Sequence, residues 1–154
     1  MNSSIDVADL IPINKLLYNC SGQLVAERAG FYSSFINILS NRAIDLNNNK
    51  IQLIELLEGT DWNNEFAEKA FMNEWKKSVK FKYLTDYDAE TLEFECWVVG
   101  ALEAYKTVLN TTSLTSFMKR SVLMDQKYFL QEFLIELIKY RESNSSIQKS
   151  ALYV

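Results

Sequence analysis

Along most of this chain apolar residues return at intervals of three and four, the spacing that lines one face of an α-helix. A short first helix is predicted from around Pro12, which a first helical turn tolerates, to just before Gly22, which suits a helix C-terminus. The next runs roughly from Gln23 to Ile44, with Val25, Ala29, Tyr32, Phe35, Ile36 and Leu39 in step, and Leu46-Asn47-Asn48-Asn49 reads as a polar turn. Ile51 to Glu58 follows, ended by Gly59. Asp61 is then expected to cap a long helix on which Trp62, Phe66 and Ala70 form one row and Phe71, Trp75 and Val79 another, with the helix facing the core.

From Val79 the rhythm changes. Val79, Phe81 and Tyr83 alternate with Lys80 and Lys82, and Leu92, Phe94 and Cys96 alternate with Glu93 and Glu95. A short β-hairpin over 79–98 is one reading, with the lysines facing the glutamates across the strand pair. The competing and preferred reading makes Asp88 the cap of a helix from Ala89 to Leu109, apolar on most sides and carrying the small residues Gly100, Ala101 and Ala104 that let a neighbour approach. Such a helix belongs at the centre of the fold. Asn110 to Ser113 is a polar break. Two further helices follow, Leu114 to Met124 and Gln126 to Glu142, the second with a core-facing seam of Phe129, Leu130, Phe133, Leu134, Leu137 and Ile138. The expectation is therefore an all-α bundle of about six or seven helices in one domain over 1–142. Ser143-Asn144-Ser145-Ser146 breaks the apolar rhythm, so 143–154 is expected to be a flexible tail.

Composition supports this division. At 154 residues, with 48% hydrophobic content and only four glycines and one proline, the chain is long enough for one sizeable core and poor in the residues of tight turns. Cys20 and Cys96 stand apart among apolar neighbours, as small buried hydrophobes do, which suits a reducing compartment. Met1 to Asp9 carries acids and no base, unlike a secretory signal, and the longest uncharged apolar run, Trp97 to Leu102, is far short of the roughly twenty residues of a membrane helix. A cytoplasmic location without membrane contact is expected.

The most informative single absence is histidine, of which there is none. The commonest general base and the commonest transition-metal ligand are both missing, so Ser-His-Asp and Cys-His nucleophiles and helical di-iron sites cannot be assembled, and two cysteines are too few for zinc. No glycine-rich phosphate loop occurs. Carboxylate-only magnesium sites of helical nucleotide hydrolases pair Glu-x-x-Glu with a later Glu-x-x-Asp. Here Glu55 and Glu58, or Glu65 and Glu68, supply the first half, but the one Glu-x-x-Asp, Glu58 to Asp61, overlaps it. Asp86-Tyr87-Asp88-Ala89-Glu90 opens like a calcium loop, yet Thr91 and Trp97 stand where that loop needs glycine and glutamate. Ser116-Phe117-Met118-Lys119 and Ser146-Ile147-Gln148-Lys149 match Ser-x-x-Lys without the partner motifs of acyl-transfer enzymes. No cofactor is expected.

Charge is what remains. The net charge is −4, and no basic run exceeds Lys76-Lys77, which disfavours direct nucleic-acid binding. Residues 51–68 hold five acids (Glu55, Glu58, Asp61, Glu65, Glu68) and no base; residues 83–105 hold six (Asp86, Asp88, Glu90, Glu93, Glu95, Glu103) and no base. Between them lie Lys69, Lys76, Lys77, Lys80 and Lys82, which could neutralise both segments internally. Alternatively, an acidic segment with Trp62 or Tyr87 beside it presents a negative, aromatic face to a basic partner, the field steering encounter and the aromatics holding it. The candidate contacts are Asp86, Tyr87, Asp88, Glu90 and Glu93, and Glu55, Glu58, Asp61, Trp62 and Glu65. On this reading the chain is a non-enzymatic protein-binding domain, a stoichiometric inhibitor or immunity-type protein against a basic toxin, nuclease or nucleic-acid-processing machinery. The alternatives are a carboxylate- and magnesium-dependent helical hydrolase, and a helical adaptor whose apolar groove receives a partner's helix.

Overall fold

A computed structural model describes residues 5–27, 34–81, 89–111 and 116–152, with the backbone alone at 89–90 and 144–152. Among these residues there are five α-helices and no strand: α1 (Leu10–Glu27), α2 (Ser34–Leu56), α3 (Glu65–Ser78), α4 (Ala89–Leu109) and α5 (Phe117–Leu152), preceded by one 3-10 turn at Val7–Asp9. α1 packs on α2 and α4, and α5 packs on α4 and α2, so four helices close a ring around the core while α3 lies outside it against α1. The all-α expectation holds; the helices are fewer and longer than the sequence suggested.

Three expected breaks are continuous helix, each for the same reason. α1 runs through Gly22 because Ser21 and Leu24 on either side are buried, and burial outweighs the roughly 1 kcal/mol that an exposed helical glycine costs. α2 runs through Asn47-Asn48-Asn49 because Leu39, Leu46, Asn49 and Leu53 share its buried face, so the polar residues do not interrupt the stripe. α5 runs through Asp125 because Leu123, Gln126 and Leu130 are all buried, and the helix continues past Ser143 to Leu152. At 36 residues it is about 54 Å long. Its core-facing seam is where the spacing placed it, with Leu130, Phe133 and Leu137 buried.

α4 spans the residues expected of the central helix, with Phe94, Val98, Ala101, Ala104 and Tyr105 almost wholly buried. The 79–98 hairpin does not form, since 89–98 is helical. The apparent alternation there arises because α4 is apolar on most of its circumference: Glu93 is exposed, but Glu95 is buried and bound by Arg141 of α5 rather than by a cross-strand lysine. Lys82 and Tyr83 lie outside the described residues. Gly100 does admit a neighbour, because a Cβ there would stand 2.8 Å from Val79 Cγ2 and 3.3 Å from Trp75 Cζ2 at the end of α3.

A thread of polar side chains crosses the core. Asn14 Nδ2 of α1 donates to Leu10 O (2.8 Å) and to the Tyr105 hydroxyl of α4 (2.9 Å); that hydroxyl donates to Gln126 Oε1 of α5 (2.6 Å); and Gln126 Nε2 donates to Asn49 O and Gln52 Oε1 of α2, both at 3.1 Å. All four ring helices are thus joined by hydrogen bonds, buried from Asn14 to Asn49 and reaching the surface at the exposed Gln52; where water is excluded each bond is strong and each missing one costly. Arg42 of α2 pairs with Glu136 of α5 and lies 5.3 Å from the Phe129 ring centroid, adding a cation–π contact to the α2–α5 seam.

Candidate functional site: the acidic α2–α3 turn

The α2–α3 connection is a short, firmly held turn. α2 ends at Leu56, the chain tightens through Leu57 N to Ile54 O (3.1 Å) and Thr60 N to Leu57 O (3.1 Å), and Gly59 takes the left-handed conformation (φ 83°) that glycine adopts without strain. The Thr60 hydroxyl donates to Leu57 O (2.7 Å), and Leu57 is buried while Trp62 packs half-buried on the core. α3 is capped by Asn64, whose Oδ1 accepts from Ala67 N at 3.1 Å, and not by Asp61. Asp61 sits in the turn itself, too early to reach the first free amides of α3.

Around this anchored turn Glu55, Glu58, Asp61 and Glu65 are all exposed, and none forms an ion pair among the described residues. Glu65 stands in the first turn of α3, where a negative charge suits the helix dipole. Glu55 and Glu58 stand at the last turn of α2 and just beyond it, where the same dipole disfavours them. Glu68 is the exception, meeting Lys15 of α1 at 3.8 Å across the α1–α3 contact.

Phe66, next to Glu65 in the first turn of α3, is 86% exposed. The sequence reading put it in a row with Trp62 and Ala70, within a helix turned to the core; the structure turns it outward. The signal was available: Trp75 is the buried residue of α3, and nine residues make about two and a half helical turns, so Phe66 falls on the opposite side. Phe71 and Met72, flanking the Trp75 direction, are the ones that pack on the core.

The second acidic segment is divided. Asp86, Tyr87 and Asp88 lie outside the described residues, and Glu90 is helical with its side chain undescribed. Glu95 is neutralised by Arg141, and Glu103 is exposed with Lys106 Nζ at 3.6 Å. Glu93 is exposed at the rim of a pocket of about 230 Å³ between α1 and α4, lined by Cys20, Gln23, Leu24, Glu27, Phe94 and Trp97. Trp97 stacks on Trp75 (5.6 Å) and meets Phe81 edge-on (5.0 Å). Burial, reinforced by Glu93 and opposed by Lys76, pushes the Cys20 thiol above its ordinary value, so it is held as the weakly nucleophilic thiol. Burial likewise raises the Tyr105 phenol, against the lowering effect of its hydrogen bond with Asn14. Among the described residues no three Cys, Asp or Glu side chains converge as a metal site.

No ion pair joins the intervening lysines to either acidic segment among the described residues; where acids are neutralised, Lys15, Arg141 and Lys106 do it. No helix among these residues is long and apolar enough to cross a membrane. Compared with known proteins, the chain matches no family model, no curated protein and no solved structure.

Proposed function

We propose that this chain is a non-enzymatic protein-binding domain, an inhibitor or immunity-type protein that grips a basic partner through the α2–α3 turn. The observation that carries this reading is the placement of four exposed carboxylates, without an ion pair among the described residues, around a hydrogen-bonded turn that leads into an almost fully exposed phenylalanine. Stability alone favours neither the acids at the end of α2 nor the ring in water. A basic protein supplies what both lack. Its lysines and arginines answer the field that speeds encounter, and a pocket between them receives Phe66, whose burial slows release.

The test is capture from a lysate by the immobilised chain at low salt, identification of what is retained, and measurement of association and dissociation rates with the purified partner. Charge reversal at Glu55, Glu58, Asp61 and Glu65 together is expected to slow association about tenfold or more and to remove its salt dependence, and Phe66→Ser to speed dissociation. Circular dichroism checks that each variant remains folded. Retention of the same proteins by native and charge-reversed chains, or binding indifferent to salt, sinks the reading.

A further inference from the structure

α5 carries a second apolar stripe on the side away from the core. Phe117, Met124, Tyr128 and Ile135 are 86%, 48%, 63% and 50% exposed. Their spacings of seven, four and seven residues bring them within about 40° of one another around the helix. They are also the spacings of a heptad seam, with Phe117 and Met124 at d and Tyr128 and Ile135 at a. Ser121 and Gln131 fill the intervening a and d positions, and Ile138, partly buried, ends the seam. The core-facing Leu123, Gln126, Leu130, Phe133 and Leu137 occupy the c and f positions of the same frame, so the seam points away from the bundle.

The flanks of this seam identify its occupant. In this frame the g positions carry Arg120, Lys127, Leu134 and Arg141, and the e positions carry Met118, Asp125, Glu132 and Lys139. Two parallel helices bring each g residue against the e residue five positions later on the other chain, giving Arg120 with Asp125 and Lys127 with Glu132, each twice by symmetry. Antiparallel helices bring g to g and e to e, setting Arg120 and Lys127 against one another and Asp125 against Glu132. Arg141 is already committed to Glu95, and Leu134, half-buried, packs against the chain's own core. Arg120, Lys127, Asp125 and Glu132 form no ion pair within the chain among the described residues.

We infer that the outer face of α5 is a self-association seam on which a second copy of this chain docks its own α5, parallel and in register. The seam is short and holds Ser121 and Gln131, so the dimer is weak and forms with rising concentration. It uses a surface separate from the α2–α3 turn, and neither inference depends on the other.

Sedimentation equilibrium of the full chain over a concentration series tests this. The native chain is expected to shift from monomer to dimer, and Tyr128→Ser with Ile135→Ser to weaken the dimer at least about tenfold while leaving helicity unchanged. Asp125→Lys with Glu132→Lys in one chain, and Arg120→Glu with Lys127→Glu in another, should each abolish self-association, and mixing the two should restore a dimer. Met124→Cys under mild oxidation should cross-link like to like, because position 124 faces its own copy only in the parallel arrangement. A native chain that stays monomeric, a dimer untouched by the seam or charge substitutions, a mixture that fails to pair, or a dimer that does not cross-link through position 124 overturns the proposal.

Discussion

Arg141 holds Glu95 through two hydrogen bonds, Nε to Oε2 at 2.9 Å and a second guanidinium nitrogen to Oε1 at 3.1 Å, clamping the lower half of α5 to α4. Glu95 is only 8% exposed, and Arg141 is the partner that meets its carboxylate there. Arg141→Met is expected to destabilise the fold by about 2–4 kcal/mol, and the double change Arg141→Met with Glu95→Leu by much less, because no buried charge is then left alone. A double-mutant cycle by urea denaturation measures both.

Tyr105→Phe removes one acceptor and one donor from the polar thread and leaves Gln126 Oε1 without its donor. The expected loss is about 1–3 kcal/mol. Asn14 already has an unpaired Oδ1, so adding Asn14→Leu to Tyr105→Phe should recover part of the loss. Denaturation midpoints of the single and double variants decide it.

Stability should fall in alkali for a reason specific to Tyr105. Burial raises the phenol above its ordinary value of 10.0, so the unfolded chain releases this proton at lower pH than the folded one. The contribution is whole below 10.0 and is lost progressively as pH rises beyond it, with a limiting slope of about 1.4 kcal/mol per pH unit. Cys20, raised from 9.0, acts in the same direction from lower pH. The difference in slope between the native chain and Tyr105→Phe isolates the phenol; equal slopes would refute the assignment.

Gly100→Ala sets helix propensity against packing. The methyl gains about 1 kcal/mol of intrinsic helix preference but meets the stiff Val79 side chain at 2.8 Å, and overpacking of that kind costs about 1–3 kcal/mol. A net loss is expected, together with altered tryptophan fluorescence as Trp75 and Trp97 shift. Val79→Ala in the same chain should restore both.

How much of this was legible before the structure depended on range. α4 could be read to its ends because Asp88 and Asn110 bound a stretch apolar on nearly every side. The asparagines at 47–49 read as a turn because a turn and a polar stretch of helix have the same composition, and only the buried Leu46, Asn49 and Leu53 of one face separate them. Splitting α5 at Asp125 hid the heptad frame, which appears only when Met124 and Tyr128 belong to one helix. Glu55, Glu58, Asp61 and Glu65 were found by counting charge, whereas the fate of Glu95 could not be, since Arg141 lies 46 residues away in sequence.

The chain of amides and hydroxyl from Asn14 through Tyr105 and Gln126 to Asn49 works as a key cut for one setting of the lock. A helix that slid by a single turn, about 5.4 Å, would strand donors and acceptors on its neighbours in a medium with no water to console them. Register among the four ring helices is therefore set by hydrogen bonding as well as by apolar packing.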